Sequence, residues 1–287
     1  MNEFLIVFAL AIGLGWPLGR YLAAVMRGAP MRVDRLFGWI EKPIYKLIGT
    51  DPSRGMTWRG YAKAFALSNL VLGPIVWVQF MTQAWLPLNP DGIPNMRWDL
   101  ALHTMVSFLT NTNQQHYSGQ AQLSYLSQVV GIVGLQVVTP MMGLAMVVAT
   151  LRALFGGRQE MERAVADAAH AGHAAEHVDR DVGNYWADVV RATFRFMLPL
   201  CLVWSLLLTS QGVPATLAGG PTVAPLDVSA EVKEQKIPLG PVAPMVAIKQ
   251  LGTNGGGWYG PNSSVPLENP TPFSNLLETL AIILIPV

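Results

Sequence analysis

Residues 242–257 read VAPMVAIKQLGTNGGG, and residues 98–115 read WDLALHTMVSFLTNTNQQ. In each, a mostly apolar run ends in an uncharged polar tract, and a proline-rich loop leads in, IPLGPVAP for the one and LPLNPDGIPN for the other. Proline forbids helix continuation and fixes turn or extended geometry, so both runs have a defined start. They are too short to cross a bilayer, which takes about 20 apolar residues, and too apolar to lie in water. They predict re-entrant half-helices, tolerated only where the broken backbone packs in protein or lines a wet cavity. Asn111 and Asn254 lie 143 positions apart, so the chain reads as two copies of one plan: span, half-helix, loop, span. Such repetition in a membrane chain points to a transport pathway at the repeat interface.

The rest of the composition agrees with a membrane setting. Of 287 residues, 51% are apolar and 13% charged, where a soluble domain carries about 25% charged residues. A net charge of +1 with no dense block of Lys and Arg excludes a nucleic-acid reader. The lone Cys201 sits in an apolar run without a neighbouring His or carboxylate, which predicts a buried inert thiol and no disulfide within the chain. The run Phe4 to Gly19 follows Glu3 and precedes Arg20, Arg27, Arg32 and Arg35, the reverse of a secretory signal. It reads as a first span with its N-terminus outside. Further spans are expected within Ala64–Arg97, Leu100–Leu151 and Phe196–Leu226. The last begins after Glu278, and the nine residues to Val287, at about 1.5 Å each, fall short of a crossing, so the chain is expected to continue.

The expected class is all-α and polytopic. Residues 1–63 hold the first span and a cytoplasmic loop. Residues 64–156 hold a first repeat with the tract 110–115, 157–186 a cytoplasmic Ala/His-rich loop, and 187–287 a second repeat with the tract 252–257. Nine Lys and Arg lie between Arg20 and Lys63 and six between Arg152 and Arg195, while Arg97, Lys233, Lys236 and Lys249 fall in the other loops. That bias places the first two loops in the cytoplasm. Gly73-Pro74 and Thr139-Pro140 are expected to kink their spans. Trp85, Trp98, Trp258 and Tyr259 fit an interfacial belt, and the last two can also pack behind the second tract.

A dehydrated monovalent cation needs several oxygen dipoles in place of its water shell, and successive backbone carbonyls supply them without any carboxylate. Aiming consecutive carbonyls at one axis forces unusual dihedrals, which Gly255, Gly256 and Gly257 adopt at little steric cost. The half-helix C-termini carry partial negative charge that favours a cation nearby. Thr110, Asn111, Thr112 and Asn113 would do in the first repeat what Thr253, Asn254 and the glycines do in the second. A glycine cluster alone is more often a flexible loop; two tracts in the same context favour a selectivity filter. GTNGGG is neither G-x-G-x-x-G after a strand nor a P-loop, and no Lys follows it, so nucleotide binding is excluded. His170, His173 and His177 have helical spacings, but an alanine-rich loop with solvated histidines outweighs a metal site there. His103 is expected to be a packing residue. Asn262-Ser-Ser matches a glycosylation acceptor, a match short enough to arise by chance.

Three stretches carry a family: SFLTNTNQQHYSG from Ser107, AIKQLGTNGGGWYGPNSSVPLENPT from Ala247 and LPLNPDGIPNMRWDLALHT from Leu86. They resemble the potassium-binding A subunits of bacterial Kdp potassium-transporting ATPases, within the superfamily of potassium transporters. The resemblance runs over nearly the whole chain. It implies four repeats of span, pore half-helix, filter and span behind one extra N-terminal span, of which this chain holds the extra span and about two repeats. It implies one K+ near the outer face, lined by Asn111 and Thr112 with their neighbours and by Thr253, Asn254, Gly255 and Gly256, with Gln115 supporting the entrance. Where the family has an aromatic residue before that glutamine, this chain has Gln114. It also implies no organic cofactor, ATP used by a P-type ATPase partner (KdpB), two small single-span subunits (KdpC and KdpF), and a bacterial inner membrane. The chain lacks a DKTG phosphorylation sequence. A passive channel or an ion-coupled symporter of the same superfamily would use the same filter physics, and a membrane anchor would need no pathway at all.

Overall fold

The computed structural model describes residues 2–31, 34–155, 181–226 and 233–286; His170, His173 and His177 lie outside them. The described residues are largely helical. In order they form α1 (Asn2–Met26), α2 (Asp34–Ile48), α3 (Trp58–Thr82), α4 (Trp98–Leu109), a single turn α5 (Gly119–Gln122), α6 (Gly134–Phe155), α7 (Tyr185–Arg191), α8 (Leu198–Ser210), α9 (Val242–Leu251) and α10 (Pro272–Leu284). Two widened π-helical stretches, Ser127–Val133 and Ala192–Met197, lead into α6 and α8. A two-residue antiparallel pair, β1 (Thr222–Val223) and β2 (Gln235–Lys236), closes the loop before α9.

Among the described residues, four helical stretches are long and apolar enough to cross a membrane: Phe4–Met26, Trp58–Trp85, Ser127–Phe155 and Tyr185–Ser210. The prolines Pro17, Pro74 and Pro140 lie inside continuous helices. Membrane helices tolerate such a residue because neighbouring groups can re-satisfy the freed carbonyl. α1 leaves Phe4, Leu5, Ile12 and Trp16 exposed, an apolar surface of the kind lipid covers. The 12 residues of α4 and the 10 of α9 span only about 18 and 15 Å at 1.5 Å each. Their bounds match those expected from the sequence for the two half-helices, a name they keep from here on.

The chain divides into two compact units. The unit of residues 22–71 and 140–196 is held by ion pairs, of which Arg195–Glu41 is buried on both sides. Arg152 Nη1 lies 2.5 Å from Asp188 Oδ2, Arg195 lies 2.5 Å from Glu41 and from Asp34, and the Tyr61 hydroxyl donates to Asp188 Oδ2 at 2.9 Å and to the Ala145 carbonyl at 2.8 Å. The Asn184 side chain donates to the carbonyls of Asp51 and Arg54 and also accepts the Ala187 N–H that starts α7.

The other unit, residues 1–21, 72–139 and 197–287, contains both half-helices and both polar tracts. α9 is its centre, with Val242, Ala243, Met245 to Ile248 and Leu251 all buried. It begins where Pro241 ends the preceding loop and the Ala243 N–H bonds to the Pro214 carbonyl at 2.9 Å. Gln83, fully buried, ties the loop segments of this unit: its amide donates to Pro94 and Gln122 carbonyls at 2.7 and 2.8 Å, and its carbonyl accepts the Ser124 N–H at 3.0 Å.

Candidate functional site

Each half-helix ends in the same backbone motif. After α4, Asn111 turns left-handed (φ 58°), its N–H bonds to the Phe108 carbonyl, and the Thr112 N–H reaches back to Ser107 at 2.9 Å. After α9, Thr253 turns left-handed (φ 64°), its N–H bonds to the Gln250 carbonyl, and the Asn254 N–H reaches back to Lys249 at 3.0 Å. This is the Schellman ending, in which one left-handed residue lets two N–H groups satisfy the last helical carbonyls. A second left-handed residue follows two positions on, Asn113 (φ 58°) and Gly255 (φ 67°), and Gly256 (φ 94°) extends the pattern in the second tract.

The backbone therefore pairs Asn111 with Thr253, 142 positions apart, and not Asn111 with Asn254 as identity suggests. The reason is physical: a Schellman ending is counted from the last helical turn, whatever side chain falls there. Asparagine tolerates this region, whereas a β-branched threonine is strained in it. Strain of this kind is held only where the surroundings over-determine it, as at functional sites.

The two tracts touch through their amides. Asn254 Nδ2 donates to Asn111 Oδ1 at 3.1 Å and to Gln136 Oε1 at 2.5 Å, and Gln136 Nε2 donates to Asn113 Oδ1. Thr139 Oγ1 lies 3.4 Å from Asn111 Oδ1 and from the Phe108 carbonyl. Gln136, fully buried near the start of α6, thus links both tracts; nothing in its local sequence marked it. Thr110 spends its hydroxyl on the Val106 carbonyl (2.9 Å) and on Thr112 Oγ1 (2.9 Å). Gln115 Nε2 lies 3.3 Å from the Tyr117 hydroxyl, while its carbonyl oxygen is buried with no hydrogen-bond partner among the described residues.

Carbonyl oxygens are what the tracts leave over. Among the described residues, no hydrogen bond is donated to the carbonyls of Asn111, Thr112 or Asn113, or to those of Thr253, Asn254, Gly255 or Gly256. The next carbonyls along are taken: Ser107 Oγ donates to Gln114 at 2.9 Å, and Lys249 Nζ to Gly257 at 3.3 Å. Each tract thus offers a short series of unclaimed oxygen dipoles just beyond a half-helix C-terminus. That chemistry suits a monovalent cation stripped of water.

A buried carboxylate supports the second tract from behind. Glu268, fully buried, accepts the Tyr259 and Ser263 N–H groups at 3.0 and 2.6 Å. Burial pushes its carboxyl above the usual range, while those N–H groups and the Lys249 ammonium pull the other way. Asn262 Oδ1 accepts the Gly257 N–H at 3.3 Å. Trp258 and Tyr259 are buried, Trp258 against the Tyr125 ring at 5.3 Å, so they belong to this packing and not to an interfacial belt. Trp85 and Trp98 remain exposed, as a belt requires. Lys249 is not a loop cation: it is 1% exposed at the end of α9, with its ammonium 5.5 Å from the Phe108 ring centre. His103 packs against His116 at 4.4 Å, its Nδ1 buried and without a hydrogen-bond partner among the described residues. Cys201 is buried and free.

A model of the potassium-transporting ATPase A subunit family matches residues 5–287. The potassium-transporting ATPase potassium-binding subunit of Pseudomonas putida is 42% identical over 284 residues, covering 99% of this chain and 46% of the relative. The subunits of the same name from Alicyclobacillus acidocaldarius, 42% identical over 283 residues, and Pseudomonas aeruginosa, 41% over 288, each cover 99% of this chain. The chain spans about half the length of these curated relatives.

Proposed function

The chain belongs to the potassium-transporting ATPase A subunit family, and from that premise we propose that its two tracts form part of a potassium filter in an ATP-driven import complex. The observation that carries this reading is the pair of matched series of unclaimed carbonyls, each behind a half-helix and cross-linked by Asn254 and Gln136. In it, carbonyls of Asn111, Thr112 and Asn113 and of Thr253, Asn254, Gly255 and Gly256 replace the hydration shell of K+, which is cargo and not a resident cofactor. The side chains of Asn111, Asn113 and Asn254 brace the strands instead of coordinating the ion. Thr110 holds the half-helix end, and Gln115 stands at the entrance.

ATP chemistry belongs to a partner of the P-type ATPase class, the KdpB subunit, with KdpC and KdpF completing the assembly. The selected ion passes sideways from the filter to that partner. The complex sits in the bacterial inner membrane, with the N-terminus of this chain outside, in keeping with the basic residues crowding its first two loops. The four-repeat plan of the superfamily organises the whole subunit, and this chain supplies two of its filters.

Rubidium, an anomalous scatterer of similar size and charge, provides the test. Crystals of the complete complex soaked in rubidium should show density beside the Asn111 and Thr253 carbonyls. Ordered tracts with no density there would sink the assignment.

A further inference from the structure

The residue three places inside each half-helix end does two things at once. The carbonyl of Ser107 receives the Thr112 and Asn113 N–H groups at 2.9 and 3.1 Å, and its hydroxyl donates to the Gln114 carbonyl at 2.9 Å. The carbonyl of Lys249, 142 positions on, receives the Asn254 and Gly255 N–H groups, both at 3.0 Å, and its ammonium donates to the Gly257 carbonyl at 3.3 Å. The lysine stem is longer, and it reaches one residue farther along its tract than the serine does. Both side chains are buried, Ser107 at 6% exposure and Lys249 at 1%. A buried lysine is rare unless it is held for a purpose.

From this correspondence we infer that Ser107 and Lys249 are matched positioning residues that set cation specificity, each clamping the far end of its tract against its own half-helix. The inference deepens the filter reading and rests on it. By drawing the Gln114 and Gly257 carbonyls back, each clamp separates oxygens spent on the scaffold from those left for the ion. It fixes where the unclaimed series ends, and hence how far its oxygens can move to follow a smaller ion. A serine serves one tract, so the shared element is the donated hydrogen bond and not the charge. The Lys249 charge has its own accommodation, the face of Phe108 and the buried carboxylate of Glu268.

Uptake of potassium and of sodium by the complete complex in liposomes tests this. Half-saturating concentrations are measured for Ser107→Ala and Lys249→Met, which remove the donor, and for Ser107→Thr and Lys249→Arg, which keep one. Loss of one hydrogen bond, about 1.4 kcal/mol, corresponds to about tenfold, so each donor-less variant should lose about that factor of potassium preference. The donor-keeping variants should hold the wild-type ratio within about twofold. A merely structural role would lower the amount of assembled complex and leave the ratio of the two constants unchanged, and that result overturns the inference. If Lys249→Met fails to assemble, the Ser107 pair gives the same decision. Wild-type complex lacking any potassium preference would instead overturn the filter reading, so the two failures are told apart.

Discussion

Alanine placed in turn at Gly255, Gly256 and Gly257 should give a graded series of losses, each step with a different physical origin. Gly255 has φ +67°, and a new methyl there would meet only Ile282 Cδ1, at 3.7 Å. The cost is the left-handed penalty of an L-residue, about 1–2 kcal/mol. At Gly256, φ is +94° and the methyl would stand 2.6 Å from Asn262 Oδ1, the acceptor of the Gly257 N–H. Displacing Asn262 adds a hydrogen bond of about 1 kcal/mol to the backbone strain, for about 2–3 kcal/mol in all. Gly257 has no left-handed strain, yet its methyl would overlap the Glu268 carboxylate. That group is fully buried and holds two backbone N–H groups, so moving it breaks two charge-assisted bonds at about 1.5–3 kcal/mol each. The assay is the half-saturating potassium concentration of uptake by the complete complex, with its apparent melting temperature as a second axis. If the loss falls on the ion-bound arrangement, Gly255→Ala weakens potassium about tenfold and Gly257→Ala more than about a hundredfold, since 1.4 kcal/mol is tenfold. Equal tolerance at the two positions, or the reverse order, would refute the reasoning.

Gln136→Leu keeps the volume and removes the amide that serves both tracts, leaving Asn113 and Asn254 without it; potassium preference over sodium should fall by about tenfold in competition uptake, at a hydrogen-bond loss of about 1–3 kcal/mol. Thr253→Gly relieves a β-branched left-handed residue, so the apparent melting temperature should rise by the equivalent of about 1–2 kcal/mol, read by scanning fluorimetry on the purified complex. Asp188→Ala removes the carboxylate that pairs with Arg152 and one of the two acceptors of Tyr61, leaving Arg152 the Val182 and Met26 carbonyls, so the same measurement should show a loss of about 1.5–3 kcal/mol.

The two short helices were legible because their apolar runs are bounded on one side by proline and on the other by residues that cannot continue a buried helix. Trp98–Leu109 and Val242–Leu251 follow from those boundaries. The pairing of the tracts was legible only to within one residue, because the shared letters Thr-Asn drew the eye while the backbone counts from the helix end. Lys249 was hidden by counting basic residues by sidedness alone; a cation inside an apolar run is itself the signal, since such a residue must find internal partners. Gln136 lies outside both tracts and Glu268 in the loop after the second, and their roles come from close approach in the folded chain that no local pattern carries. The π-helical stretches Ser127–Val133 and Ala192–Met197 likewise had no local mark.

The Asn254 carboxamide reaches Asn111 in the other tract, and Gln136 binds a member of each. Neither tract can therefore move on its own: in the proposed filter, widening the gap for a bulkier ion, or pinching it for a smaller one, stretches bonds that belong to both. Size discrimination by the proposed filter is then a property of the joined pair, and a chimera that imports a single tract from a relative inherits the letters without the fit.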